Sequence, residues 1–315
     1  APKPAAAWPA DLAIGTKFMP STTYVQGVAV AKMINKYVKG VQSSVSSFAS
    51  NSYFADAYAK GILQLDIGGD SYTTVSQAMG LTAWQGRGSA PMRFIATGSL
   101  FYLGVMARAG AGIKTPADLK GKKWMILLSG SAGMKATADV IMYGYGLTEK
   151  DVTLLGFTSP TELVDAITQG RVDAIGYPFQ KATPFVQELA TAGKIEFISD
   201  TPEALQKISQ KYPMFAPGVL PAGTYRGQTK DISTACWYSI LAAHSELPVD
   251  LVYAITAALY DNFKEWTDYH SDIKDFALPG AIRLSQMGAP FHEGAIKYYK
   301  EKGYWTAEHE AKQKE

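Results

Sequence analysis

The sequence predicts an α/β protein made of two strand-and-helix halves, and three observations predict it. Short apolar runs repeatedly end in small polar residues and open at once into helical segments, the pattern that builds a mostly parallel sheet. Helix starts carry a Ser or Thr followed by proline at Thr115-Pro116, Ser159-Pro160, Thr183-Pro184 and Thr201-Pro202. A length of 315 residues with 47% apolar content suffices for two cores.

Leu12 to Ile14 reads as the first strand, then comes the loop from Gly15 to Thr23 and a helix with Val25, Val28, Ala29, Met33 and Ile34 on one face. Val41 to Ser47 alternates as a strand, and Asn51 or Ser52 is placed to cap a helix through Ala59. Ile62 to Ile67 is a strand ending at Gly68-Gly69-Asp70-Ser71, where a helix through Val75 and Met79 begins. After a Gly-rich loop come strands at Met92 to Thr97 and Phe101 to Ala107, and a short helix over Thr115 to Lys120.

The corner from Lys123 to Gly146 joins an apolar strand, Trp124 to Leu128, to a helix through Met134, Ala138 and Ile141 by the small residues Ser129-Gly130-Ser131-Ala132-Gly133. Backbone N–H groups at such a corner approach a ligand closely and carry partial positive charge, which suits an oxygen-rich group such as a carboxylate. A plain tight turn explains the same composition. No phosphate-loop ending or dinucleotide glycine spacing is present.

Beyond it, strands are expected at Val152 to Gly156, Ala174-Ile175 and Ile195 to Ile198, with helices starting at Ser159, Thr183 and Thr201. Pro213 to Asp231 is too rich in proline and glycine for regular structure. Ser233 to His244 resumes as an apolar strand, Pro248 to Tyr260 is an amphipathic helix, and the charged stretch after Trp305 reads as a solvated tail.

The net charge of +2 argues against nucleic acid or an acidic membrane as a partner held by charge. The single cysteine, Cys236, lies in an apolar run and excludes an intramolecular disulfide or a Cys-based zinc cluster. Four histidines, His244, His270, His292 and His309, are scattered without metal-ligand spacing, and no apolar run spans a bilayer. No metal, no cofactor and no catalytic constellation are expected. The Pro/Ala-rich start at Ala1 fits a mature terminus left by a removed export signal.

Several stretches resemble a known family. The run from Gly112 to Lys123 is similar to the sequence after the hinge of many periplasmic solute-binding proteins. Gly146 to Val152, Gly170 to Ala174, Tyr212 to Gly218, Pro221 to Tyr225, His292-Glu293-Gly294-Ala295 and Tyr298 to Gly303 resemble the TAXI subfamily of TRAP-transporter solute receptors. The resemblance implies an α/β, two-lobed fold of the type II periplasmic binding protein kind with a ligand cleft. Lobe one would hold 1–106 and 233–315 and lobe two 107–232. It implies a monomeric, non-enzymatic periplasmic receptor that captures a small organic solute, a carboxylate, by lobe closure and delivers it to TRAP membrane permease subunits.

Departures from the family pattern fall in the ligand loops: Lys17-Phe18-Met19-Pro20 replaces glycines, Gly69-Asp70-Ser71 replaces Gln-Ser-Asp, and Tyr177-Pro178-Phe179-Gln180 replaces smaller residues. The expected ligand residues are Phe18, Met19, Thr22, Thr23, Tyr24, Gly69, Asp70, Ser129, Ser131, Ala132, Gly133, Met134, Tyr177, Phe179 and Gln180. Thr22 and Thr23 are equally explained as helix caps, Asp70 as a cap, and Phe18, Met19, Tyr177 and Phe179 as core. Lys17 and Lys135 are candidates to counter a carboxylate, with solvated lysines as the ordinary alternative. The competing functions are a bilobal enzyme using Asp70 or Lys135 as acid or base, and a sensory module.

Overall fold

The computed structural model describes residues 7–17, 21–48, 52–69, 76, 90–129, 132–181, 183–212, 214–283 and 289–313. The chain is α/β and divides into two compact units, Ala1–Ser99 with Tyr238–Glu315, and Leu100–Trp237. It passes from one to the other inside two paired strands, β4 (Met92–Tyr102) and β11 (Ile232–His244).

In the first unit, β1 (Asp11–Lys17) lies between two parallel neighbours. It pairs in parallel with β2 (Gln42–Phe48), Asp11 opposite Gln42 through Lys17 opposite Phe48, and with β3 (Leu65–Asp66). Helix α1 (Thr22–Tyr37) links β1 to β2, and α2 (Ser52–Ala59) precedes β3. Ser52 lies inside α2, and Asn51 lies outside the described residues. So does the expected helix through Val75 and Met79, apart from the buried Ser76. The core is apolar and continuous, from Leu12, Ile14, Val30 and Met33 to Leu251, Ile255, Trp266 and Phe276.

The second unit has a five-stranded sheet in the order β7 (Thr153–Phe157), β6 (Lys123–Leu128), β8 (Ala174–Gly176), β5 (Val105–Arg108), β9 (Ile195–Ile198). Helices α3 (Ala132–Gly144), α4 (Pro160–Thr168), α5 (Pro184–Thr191) and α6 (Pro202–Lys211) follow β6, β7, β8 and β9. Two of the predicted caps act through their side chains: Ser159 accepts from the Glu162 N–H and Thr201 from the Ala204 N–H. The short helix near Thr115 is a single 3-10 turn, Pro116–Leu119, whose Asp118 carboxylate accepts from the N–H groups of Lys114 and Thr115.

Three expectations are corrected. The sheets are mixed rather than mostly parallel: β5 runs antiparallel to β8 and β9, and β11 antiparallel to β3 and to β10 (Ala216–Leu220). The antiparallel members are where the chain enters and leaves the second unit, so they are not products of strand-helix-strand crossovers. The Pro/Gly-rich return does contain a strand, β10. It stands at an edge of its sheet, where the missing N–H of Pro217 is tolerated, and Gly218 leaves room for Cys236, whose Sγ would lie 2.4 Å from an added Cβ. Finally, the charged stretch after Trp305 is solvated as expected but is folded, as α10 (Ala307–Lys312). Thr306 caps it by accepting from the His309 N–H, Trp305 donates to Glu310 at 3.0 Å, and Gln313 exchanges two hydrogen bonds with Phe291.

The C-terminal helices α7 (Val249–Tyr260), α8 (Phe263–Asp268) and α9 (Glu293–Glu301) complete the first unit. His292 is the N-cap of α9, its Nδ1 accepting from the Gly294 N–H at 3.1 Å. The ring is almost wholly buried, and that burial, with a smaller contribution from Arg93, pushes its pKa down to about 4 against an opposing hydrogen bond with Leu247. The unfolded chain binds this proton near pH 6.5 and the folded one only near pH 4, so the unfolded state holds more protons between those values. Stability is therefore expected to fall by about 2 to 3 kcal/mol as pH drops through that window. Asparagine at 292 keeps an acceptor for the cap and removes the proton. Urea unfolding of the wild type and His292→Asn at pH 5 and pH 7 checks this: the wild-type loss should exceed the variant's, and parallel losses would exclude His292 as their source.

Candidate functional site

Ligands in open α/β sheets are held beyond the carboxyl ends of the strands, and each unit gathers polar groups there. In the first unit, β1 ends at Thr16-Lys17 and α1 opens at its N-cap, Ser21. The cap is Ser21, whose Oγ accepts from the Tyr24 N–H at 3.2 Å, and not Thr22 or Thr23. Thr23 is buried and its Oγ1 accepts from the Lys17 N–H at 3.3 Å, tying the helix to the strand it follows. Tyr24 is half-buried and Thr22 lies beside it in the first turn.

The buried face of α1 differs from the expected one. Val25 is 38% exposed, whereas Thr23, Gln26 and Gly27 face inward. Gly27 packs on Thr16, whose Cγ2 would lie 2.3 Å from an added Cβ. Gln26 is fully buried, and neither its Oε1 nor its Nε2 has a hydrogen-bond partner; the Thr16 hydroxyl, also fully buried, has none either. An orphaned buried amide costs on the order of 1–3 kcal/mol, a cost tolerated where something else fills the role. Sequence reasoning missed Gln26. The signal was its place three residues after Thr23 on one helical stripe.

Beside β1, the turn after β3 is held by Asp66, which accepts from the Gly69 N–H and the Tyr58 hydroxyl, both at 2.8 Å. Burial and the neighbouring Asp66 push the Tyr58 hydroxyl well above its ordinary range, so it stays a donor. Gly68 has no room for a side chain: an added Cβ would lie 2.8 Å from Thr16 Cα and 2.9 Å from the Lys17 nitrogen. Gly69 thus sits on the same edge as Thr16, Lys17 and the start of α1. Phe18, Met19 and Asp70 lie outside the described residues.

In the second unit, β6, β7 and β8 are parallel neighbours, so Ser129, Phe157 and Tyr177 share one edge. The Ser129 N–H donates to the Phe157 carbonyl at 2.9 Å, and the Tyr177 ring lies 6.3 Å from Phe157 and 5.2 Å from Phe185. Burial raises the Tyr177 hydroxyl above its ordinary range. Ala132 and Gly133 open α3 on this edge, Met134 is buried behind them, and Ser131 lies outside the described residues.

Phe179 and Gln180 turn inward. Phe179 is 1% exposed among Tyr102, Phe197 and Tyr225, and bridges to Tyr102 through both backbone hydrogen bonds. The Gln180 carbonyl accepts from the Tyr225 hydroxyl, while its Nε2 is buried without a partner. Lys135 is engaged by Asp139 and by Glu149. Burial pulls its pKa down, but those two carboxylates outweigh it and the pKa stands raised, so it is neither a base nor a spare cation.

Catalytic groups of the usual kinds do not assemble among the described residues. Each of the four histidines accepts a backbone N–H through Nδ1, from Glu246, Asp272, Gly294 and Thr306 respectively. No group of three His, Cys, Asp or Glu residues able to hold a metal ion occurs among them. Cys236 is buried, which pushes its thiol far up. No helix of the described residues is long and apolar enough to cross a membrane.

A family model described as NMT1-like matches residues 14–303. Among solved structures, a Bordetella bronchiseptica RB50 protein is 20% identical over 94% of this chain and 98% of its own, with a TM-score of 0.53. Tv2483, solved bound to L-arginine, is 12% identical over 87% and 95%, with a TM-score of 0.52. The periplasmic aliphatic sulphonate binding protein SsuA of Escherichia coli is 17% identical over 97% and 84%, with a TM-score of 0.48. The likeness to the first two is one of fold, and it agrees with the two-lobed α/β class expected from the sequence.

Proposed function

This chain belongs to the NMT1-like family, whose model spans residues 14–303, and from that premise we propose that it is an extracytoplasmic solute-binding receptor. The observation that carries the reading is Gln26: a fully buried amide with an empty acceptor and an empty donor, at the carboxyl edge of a sheet and the start of a helix. A small polar guest would complete those bonds. The Tv2483 structure, of similar fold, holds L-arginine, which supports a guest of that size. The opening of α3 with Ser129 and Tyr177 is the corresponding edge of the second unit. Binding without turnover is favoured by the four histidines serving as backbone acceptors and by Lys135 held between two carboxylates.

The finer reading is a periplasmic TAXI-type receptor, monomeric, that passes a small carboxylate to TRAP permease subunits. It is supported by the motifs from Gly146 to Gly303, and Phe18, Met19, Asp70 and Ser131 join the ligand set in it. A thermal-shift screen of small carboxylates, amino acids and neutral polyols, followed by recovery of the solute, tests the receptor. A solute at about a hundred times its dissociation constant is expected to stabilise by about 2.7 kcal/mol and to be recovered unchanged. Chemical conversion of the recovered solute would favour the enzyme instead.

A further inference from the structure

Arg283 is a half-buried arginine with no carboxylate partner among the described residues. Its Nη1 donates to Thr97 Oγ1 at 2.8 Å, and its guanidinium carbon lies 4.4 Å from the centroid of the Tyr238 ring. Thr97 is fully buried and is itself fixed, its Oγ1 donating to the Ala281 carbonyl at 3.1 Å. One edge of the fork is thus tied and one face stacked, leaving the remaining N–H donors in a set orientation without a counter-charge among the described residues. An arginine that served only as a solvated surface charge would need neither anchor.

Its place in the first unit is specific. In the β3–β11 ladder Asp66 faces Ala242 and Leu65 faces Ala243. In the turn beyond that ladder Gly69 approaches Ile240, 3.1 Å from an added Cβ, and Tyr238 lies two residues from Ile240 on β11. Arg283 therefore stands at the same carboxyl edge as the Gly68–Gly69 turn and the Thr16–Gln26 corner. Tyr238, the ring it stacks on, is in β11, and the order β11-β3-β1 puts that strand two strand spacings, about 10 Å, from β1.

We propose that Arg283 reads the charge of the solute: its anchored guanidinium receives an oxyanion of the guest, while the Gln26 amide meets a neutral polar group at the other end. This rests on the receptor reading above. It commits the solute to an anion, of carboxylate, sulfonate or phosphate type, whose charged group is paired bidentately.

The test uses purified protein and defined probes: succinate, 2-oxoglutarate and L-glutamate, ethanesulfonate, glycerol 3-phosphate, and the uncharged succinamide and glycerol. Thermal shift identifies the responders and calorimetry gives their affinities for wild type, Arg283→Gln and Arg283→Lys. The expected result is a response to one class of anion and none to the neutral probes. Arg283→Gln should then weaken that anion about 10- to 100-fold, and Arg283→Lys less, since it keeps the charge and loses the fork. Should Arg283→Gln fail to fold, the lysine variant carries the test, and unchanged affinity in it overturns the proposal. Unchanged affinity in Arg283→Gln, or a response confined to neutral probes, overturns the role of Arg283 and leaves the receptor standing. No response to any probe takes down both.

Discussion

Replacing Gln26 by leucine is expected to stabilise the protein by about 1–3 kcal/mol and to weaken its solute about 30-fold or more, the worth of two hydrogen bonds. The two effects have one origin. Both amide atoms of Gln26 are buried without partners, so the solute-free protein bears a desolvation cost that leucine, of similar volume, does not. The same empty donor and acceptor are what a guest would bind, and leucine offers neither. Urea unfolding without solute and calorimetry with it read the two effects separately. A variant less stable than wild type would mean that the amide is satisfied in solution. A stabilised variant with unaltered affinity would leave Gln26 as a strained core residue with no part in recognition.

A second substitution pits helix propensity against packing. Gly294 lies in α9, where alanine is worth about 1 kcal/mol over glycine. Yet an added Cβ would lie 2.3 Å from the Val249 carbonyl oxygen and 2.7 Å from the Tyr253 nitrogen, both backbone atoms of α7. A side chain can swing away from such a contact, but a helix backbone moves only with its neighbours. Gly294→Ala is therefore expected to destabilise by about 3 kcal/mol, with the sign opposite to that of propensity. A stability equal to or above that of wild type would refute the close approach of α7 and α9.

That contact also explains why part of the fold was legible. In the run His292-Glu293-Gly294-Ala295, His292 caps α9 and Gly294 lets it meet α7, so these two act structurally. The caps at Ser159 and Thr201 were readable because a cap is settled within four residues. The strand at Pro217 was not, since proline is acceptable there only because β10 is an edge, a fact decided by distant pairing. Nor was the inward face of α1, where Val25 looks like core and Gln26 like surface, and the reverse holds. Arg283 was invisible for a similar reason: its anchors, Thr97 and Tyr238, lie far away in sequence. Of the expected ligand residues, Thr23 and Tyr24 lie in the first turn of α1 and Gly69, Ser129 and Tyr177 just past strand ends, while Phe179 is enclosed by other aromatic rings.

The ladder containing β1 finishes at β10 on one flank and β2 on the other. One flank strand carries a proline and the other is Gln42-Ser43-Ser44-Val45-Ser46-Ser47-Phe48, mostly hydroxyls. Neither makes an inviting template for a foreign strand, so these two flanks resist edge addition. Valine in place of Pro217 would restore an N–H to one flank and make clumping at high concentration a hazard.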